Sequence, residues 1–236
     1  MTIIFKPSPN FNERVGGQTP GYIILHYTGM ETAEMALERL CSMDSHVSAH
    51  FTIDENGTIY QHVESDKRAW HAGASYWRGN KDMNSASIGI ELVNPGHEYG
   101  YRPFPDIQIS SLIILMKEVM TDYAIHPQDV LAHSDIAPVR KEDPGELFPW
   151  ARLAQEGCAV WPEPGEHDFD EVKNWSLDDY VAAVRRFGYD PDCGYEFVLR
   201  AFERHFAPEL VLGTSLDEKL SRARLACLLR TCHVMG

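Results

Sequence analysis

Tyr22-Ile23-Ile24-Leu25-His26-Tyr27 is a continuous run of apolar residues broken only by a histidine near its end. Its length, its paired isoleucines and its lack of polar alternation predict a strand buried on both faces, as in the middle of a parallel sheet. Ser87-Ile88-Gly89-Ile90-Glu91-Leu92-Val93 reads the same way, with one carboxylate, Glu91, inside it. Between the two, His50-Phe51-Thr52-Ile53 and Thr58-Ile59-Tyr60-Gln61 flank Asp54-Glu55-Asn56-Gly57. The Asn-Gly pair tolerates the positive φ of a hairpin turn. Residues 31–42 carry Ala33, Leu37 and Leu40 at helical spacing, and residues 107–123 carry Leu112, Leu115, Met116 and Val119. Val130-Leu131-Ala132-His133 predicts a short strand after that second helix. The order β-α-β-β-β-α-β implies an α/β fold, a mixed central sheet flanked by helices.

Further along, Trp161-Pro162-Glu163-Pro164-Gly165 reads as a linker and divides the chain into residues 1–165 and 166–236. The second part offers no convincing strand. Ser176 suits the N-cap of a helix over residues 177–187 that Gly188 can close. Residues 195–206 form an amphipathic pattern ending before Pro208, and Ser215 heads a last pattern over residues 216–229. These segments predict a small C-terminal three-helix bundle.

Composition narrows the function classes. The 236 residues are 44% hydrophobic and carry a formal net charge of −14. No basic stripe of the kind that binds nucleic acid is present. No apolar run approaches the roughly 18 residues of a membrane span. The opening residues lack a charged segment followed by a long apolar one, so no signal peptide is expected. The five cysteines, Cys41, Cys158, Cys193, Cys227 and Cys232, are odd in number and form no C-x-x-C pair. Free thiols favour a reducing compartment, so the expected location is the cytoplasm, with the periplasm or envelope as the alternative if a signal sequence was removed.

Eleven histidines is a high count, and most of them are expected to be structural or surface groups. His26 and His133 stand out because each ends a predicted strand, where α/β sheets place their sites. Asp143 follows His133 by ten residues in the loop Arg140-Lys141-Glu142-Asp143-Pro144-Gly145. Two imidazoles and one carboxylate make a catalytic zinc set with a fourth position left for water. By spacing alone this signal is weak, since His26 and His133 are far apart in the chain, and structural histidines are the commoner explanation of such a pattern. Glu91 is either a strand residue facing solvent or a general base tuned by burial and a nearby cation. Lys141 is either a solvated loop lysine or, beside a metal, a stabiliser of an oxyanion.

A longer series of motifs adds to this reading. His26-Tyr27-Thr28, Val47-Ser48-Ala49-His50-Phe51, Arg68-Ala69-Trp70-His71-Ala72-Gly73, Ser87-Ile88-Gly89-Ile90-Glu91-Leu92 and His133-Ser134-Asp135-Ile136-Ala137-Pro138 occur in that order. Arg140-Lys141-Glu142-Asp143-Pro144-Gly145 and Phe148-Pro149-Trp150 complete them. The chain from about residue 7 to 157 resembles the zinc-dependent N-acetylmuramoyl-L-alanine amidases of the amidase-2 family, the AmpD-type enzymes. The resemblance implies Zn²⁺ held by His26, His133 and Asp143, with Glu91 as general base and Lys141 holding the transition state. Trp70, His71 and Asn94 become candidates for the substrate cleft, with ordinary packing as the alternative. One departure is Val139, where a glycine often precedes the Arg-Lys pair.

The implied reaction is hydrolysis of the amide between N-acetylmuramic acid and L-Ala of the peptidoglycan stem, on muropeptide fragments in bacterial cell-wall recycling. Two alternatives stand beside it: an envelope amidase acting on intact wall, and a non-catalytic peptidoglycan-recognition protein, which typically lacks a zinc ligand. Residues 170–236 are similar to the helical peptidoglycan-binding domain often joined to these enzymes. The core motif of that domain is degraded here to Asp192-Cys193-Gly194-Tyr195. The part is therefore either a wall-binding module or a bundle that packs on the catalytic half. The oligomeric state and the diamino acid of the stem are not encoded in any motif.

Overall fold

A computed structural model describes residues 2–232. The chain opens with two short strands, Ile3–Phe5 (β1) and Phe11–Glu13 (β2), then Tyr22–Tyr27 (β3) and the helix Ala33–Cys41 (α1). Phe51–Ile53 (β4), Ile59–Gln61 (β5) and Lys67–Ala69 (β6) precede the short helix Met83–Ala86 (α2), which runs into Ser87–Leu92 (β7). Gly96–Tyr99 (α3) and the long helix Asp106–Tyr123 (α4) lead to Val130–Ala132 (β8), which passes directly into His133–Ile136 (α5). Trp150–Gln155 (α6) ends the first part. The second part holds Glu166–Val172 (α7), Leu177–Phe187 (α8), Tyr195–Phe206 (α9), Pro208–Val211 (α10) and Glu218–Thr231 (α11).

Six strands form one mixed sheet in the order β1-β5-β4-β7-β3-β8, and β2 pairs with β6 in a separate ribbon. The two long apolar runs lie side by side in the interior, β3 parallel to both β7 and β8. Within the six-stranded sheet of the described residues only β4 and β5 run antiparallel, joined by the expected turn at Asn56-Gly57. Alternation along β3 sends its residues to two different cores. Ile23 and Leu25 pack with Ile88, Ile90, Leu112 and Met116, beneath α4. Ile24 packs on the opposite face with Leu131, Trp77, Phe187, Tyr189 and Phe202.

That second core explains why the helical part is where it is. Helices α8 and α9 supply the apolar layer for a sheet face that would otherwise meet water. Each fully buried aromatic there contributes on the order of 1.5–3 kcal/mol. The part contains more than the three helices expected, since α7 and α10 are added. Its last helix begins at Glu218, capped by Asp217 through Lys219 N–H at 3.1 Å, and not at Leu216 behind Ser215. The Ser176 cap holds, with its Oγ accepting from Asp179 N–H at 3.2 Å. Residues 160–165 run without helix or strand, and Arg224 lies over the Trp161 ring at 4.9 Å.

Candidate functional site

Parallel strands deliver side chains to the sheet edge where they all end, and this edge carries the site. His26 on β3 is the register partner of Glu91 on β7, so the two project from neighbouring strands to the same side. β8 stops one residue before His133, whose backbone turns into α5. Ser134 N–H donates to the Asp143 carbonyl at 3.0 Å and draws the Asp143 loop back over α5.

The three groups converge. His26 Nδ1 lies 2.9 Å from His133 Nδ1, and both nitrogens lie 3.0 Å from Asp143 Oδ2. All three residues are buried. Burial, with His133 adding to it, lowers the His26 pKa to about 4, so the ring is neutral near pH 7 and the contact with Asp143 is no ion pair. His133 Nε2 faces the Ala72 carbonyl at 3.2 Å, so its proton sits there and its Nδ1 lone pair turns inward. A lone pair and a carboxylate oxygen 3.0 Å apart, with a second ring nitrogen against both, suit a cation between them. The donor set therefore fits a divalent metal ion, and His26, His133 and Asp143 are the residues that could hold it.

The cluster forms part of the wall of a cleft of about 470 Å³, lined also by Tyr27, Trp70, His71, Glu91, Arg140 and Lys141. Glu91 is half-buried, and its Oε2 is shielded with no hydrogen-bond partner among the described residues. Burial pushes the Glu91 carboxyl well up, the Asp143 charge adds to this, and Lys141 opposes it. Lys141 makes no salt bridge among the described residues. Both residues line the cleft, and an acceptor without a partner and a cation without an ion pair are groups available for chemistry.

The remaining candidates divide. Trp70 lines the cleft, its indole N–H donating to Asn12 Oδ1 at 2.6 Å. His71 reaches the cleft floor, but both ring nitrogens point into the protein, Nδ1 to His26 Nε2 at 3.0 Å and Nε2 to Ser87 Oγ at 3.4 Å. Asn94 is a correction: it is fully buried, its Nδ2 donates to the Arg102 carbonyl at 2.7 Å and its Oδ1 accepts from Gly96 N–H at 3.1 Å. It braces a loop and is not among the residues that line the cleft.

Several supporting groups were not singled out from the sequence. Asn84 Oδ1 accepts from the backbone N–H groups of His71 and Ala72, at 2.9 and 2.7 Å. Arg140 donates to the carbonyls of Ala72 and Ala74. Asp135, two residues after His133, accepts from Ala132 N–H at 2.8 Å, from His205 Nδ1–H at 2.7 Å and from Tyr189 O–H at 2.5 Å. Arg204 pairs with Glu142 and Glu146 at 3.3 and 3.2 Å, on either side of Asp143. Thus α9 and the turn before it hold both segments that carry His133 and Asp143. Asp135 and Arg140 lie inside the quoted motifs, but nothing in their spacing distinguishes a buried brace from a surface charge.

Residues 16–146, from before β3 to just past Asp143, match the family model described as N-acetylmuramoyl-L-alanine amidase. The chain belongs to this amidase family. The amidase is 39% identical over 216 residues to N-acetylmuramoyl-L-alanine amidase AmiD of Escherichia coli, an alignment covering 81% of this chain and 76% of AmiD. It is 32% identical over 164 residues to the 1,6-anhydro-N-acetylmuramyl-L-alanine amidase AmpD of the same organism, covering 62% of this chain and 87% of AmpD. The solved structure of E. coli AmiD in complex with anhydro-N-acetylmuramic acid-L-Ala-D-gamma-Glu-L-Lys superposes with a TM-score of 0.77 at 32% identity, covering 94% of this chain and 98% of that one. AmpDh3 of Pseudomonas aeruginosa in complex with anhydromuramic pentapeptide gives a TM-score of 0.78 at 28% identity, covering 91% and 93%. Both superpositions are too long to leave out the helical part of the amidase. No helix of the described residues is long and apolar enough to cross a membrane.

Proposed function

We propose that this amidase hydrolyses the bond between the lactyl carbonyl of N-acetylmuramic acid and the L-Ala amine of the stem peptide, with zinc held by His26, His133 and Asp143. The observation that carries this reading is one cleft lined by three convergent acceptors, by Glu91 with its unpartnered Oε2, and by Lys141, which makes no ion pair among the described residues. When bound, the zinc ion supplies a Lewis acid that polarises the scissile carbonyl and acidifies water. Glu91 accepts the proton of the attacking water and returns it to the leaving amine, a task that suits a carboxyl made more basic by burial. Lys141 offsets the negative charge that develops on the carbonyl oxygen. Trp70 offers an apolar wall for the sugar or peptide.

The substrate is a soluble anhydro-muropeptide, a reading supported by the anhydro-sugar peptides bound in the AmiD and AmpDh3 structures. The five free cysteines support a reducing compartment, the cytoplasm. Residues 1–165 carry the chemistry, and residues 166–236 act as a brace for it. The test is digestion of purified anhydro-muropeptide and of intact sacculi, followed by mass spectrometry. A chelator should abolish release of the stem peptide and Zn²⁺ should restore it, with fragments cleaved faster than sacculi. Full turnover by metal-stripped protein would overturn the mechanism.

A further inference from the structure

The protons around His71 can be located from the acceptors around it. Ser87 Oγ–H donates to the Met83 carbonyl at 2.5 Å, and a carbonyl can only accept. Ser87 is therefore an acceptor toward His71 Nε2, 3.4 Å away, and that nitrogen carries the ring proton. His71 Nδ1 is left as a lone pair. It faces His26 Nε2 at 3.0 Å, so His26 is the donor there, and its own Nδ1 is bare on the side of His133 and Asp143.

We propose that His71 is a positioning residue that, anchored by Ser87, holds His26 in its Nε2–H tautomer and so presets the metal site. The inference rests on the metal-binding role proposed above for His26. Everything around His71 fixes its ring. Asn84 Oδ1 holds its backbone N–H at 2.9 Å. The ring stands edge-on to His26, with centroids 5.1 Å apart and planes at 82°. It fills space that only a glycine at position 89 leaves open, since a Cβ there would come within 2.4 Å of His71 Cγ. With both nitrogens engaged and 9% of its surface exposed, His71 has no free polar group to offer a substrate. Groups that orient metal-ligating imidazoles in this way typically change metal affinity about 10–100-fold when removed.

The test compares the full-length wild-type chain with His71→Leu, His71→Asn and Ser87→Ala. Zn²⁺ affinity is measured by competition with a chromogenic chelator, folding by circular dichroism, and imidazole tautomers by long-range ¹⁵N–¹H correlation spectra of the metal-free chain. In the wild type, His26 and His71 should both report Nε2–H. His71→Leu fills the space without an acceptor and should weaken Zn²⁺ binding about tenfold or more. His71→Asn places an oxygen near the lost Nδ1 and should restore most of that affinity. Ser87→Ala should move the His71 nitrogen signals toward a tautomer mixture. A folded His71→Leu with an affinity loss below about threefold would overturn the inference while leaving the metal site standing, against the loss expected for such a group. So would a wild-type spectrum with His26 as Nδ1–H, which decides the matter even if the leucine variant fails to fold. Wild-type protein that binds no Zn²⁺ would overturn the metal reading and this inference together.

Discussion

Replacing Tyr189 by phenylalanine removes one oxygen from the joint between the two parts of the chain. That oxygen donates to Asp135 Oδ1 at 2.5 Å, in a place where both residues are fully buried. The other carboxylate oxygen is served by Ala132 N–H and His205 Nδ1–H, so in the variant Oδ1 loses its one donor among the described residues. The ring itself stays packed, edge-on to Trp77 at 5.1 Å, so no cavity opens. The cost is therefore that of a buried hydrogen bond to a charged acceptor, about 1.5–3 kcal/mol. For a chain of this size each kcal/mol lowers Tm by roughly 2–4 °C, which gives a fall of about 4–8 °C for a central cost near 2 kcal/mol. The assay is thermal unfolding followed by far- and near-UV circular dichroism. Both signals should move together, because α8 and α9 share a core with the sheet. A shift below about 1 °C, less than the cost of one weak hydrogen bond, would refute the account of the joint. So would a separate helical transition that moves while the sheet stays in place.

Other outcomes follow from the same geometry. Glu91→Gln keeps the shape of the side chain but cannot accept a proton, so turnover on anhydro-muropeptide should fall about 10²–10⁴-fold with zinc content unchanged, read by mass spectrometry and metal analysis. Gly89→Ala forces a methyl into the His71 ring and should destabilise the fold by about 1–3 kcal/mol in urea denaturation. Burial lowers His50 to about 3, so it stays neutral in the folded chain while the unfolded chain takes up a proton below its ordinary 6.5. That contribution is complete above 6.5 and lost as pH falls toward 3, at about 1.4 kcal/mol per unit, or about 2 kcal/mol by pH 5. His50→Asn, which keeps an acceptor for Gly89 N–H, should flatten the acid limb of the stability curve by that amount in denaturant titrations between pH 7 and 5.

The interior of the sheet could be read from the sequence because β3 and β7 are buried on both faces, and such strands need long apolar runs. Strands β1 and β2 could not. β1 and β2 are three residues each and wholly exposed, so they carry no pattern for burial to impose. Helix α7 is mostly acidic, and its start depends on Asp168 accepting from Gly165 N–H at 2.9 Å, a local bond that leaves no apolar period. At the site, His26, His133, Asp143, Glu91 and Lys141 could be singled out because strand ends and a family motif mark them. Asn94 follows Glu91 by three residues in the chain, yet it turns inward to serve loop carbonyl and amide groups. Asp135 joins Tyr189 and His205 across 54 and 70 residues, a pairing that no local spacing encodes.

The pairing of His26 with Glu91 in the register of β3 and β7 has a consequence for how such a site can change over generations. The distance between those two α-carbons is that of neighbouring strands, about 4.8 Å, and backbone hydrogen bonds set it. Loops leaving that edge can lengthen, shorten or exchange residues without altering the spacing, because insertions at a sheet edge do not stretch the ladder behind them. New specificity can therefore be explored in the rim while the reagents keep their alignment. A slip of one residue in the ladder would instead turn Glu91 to the opposite face and take it out of the cleft in a single step.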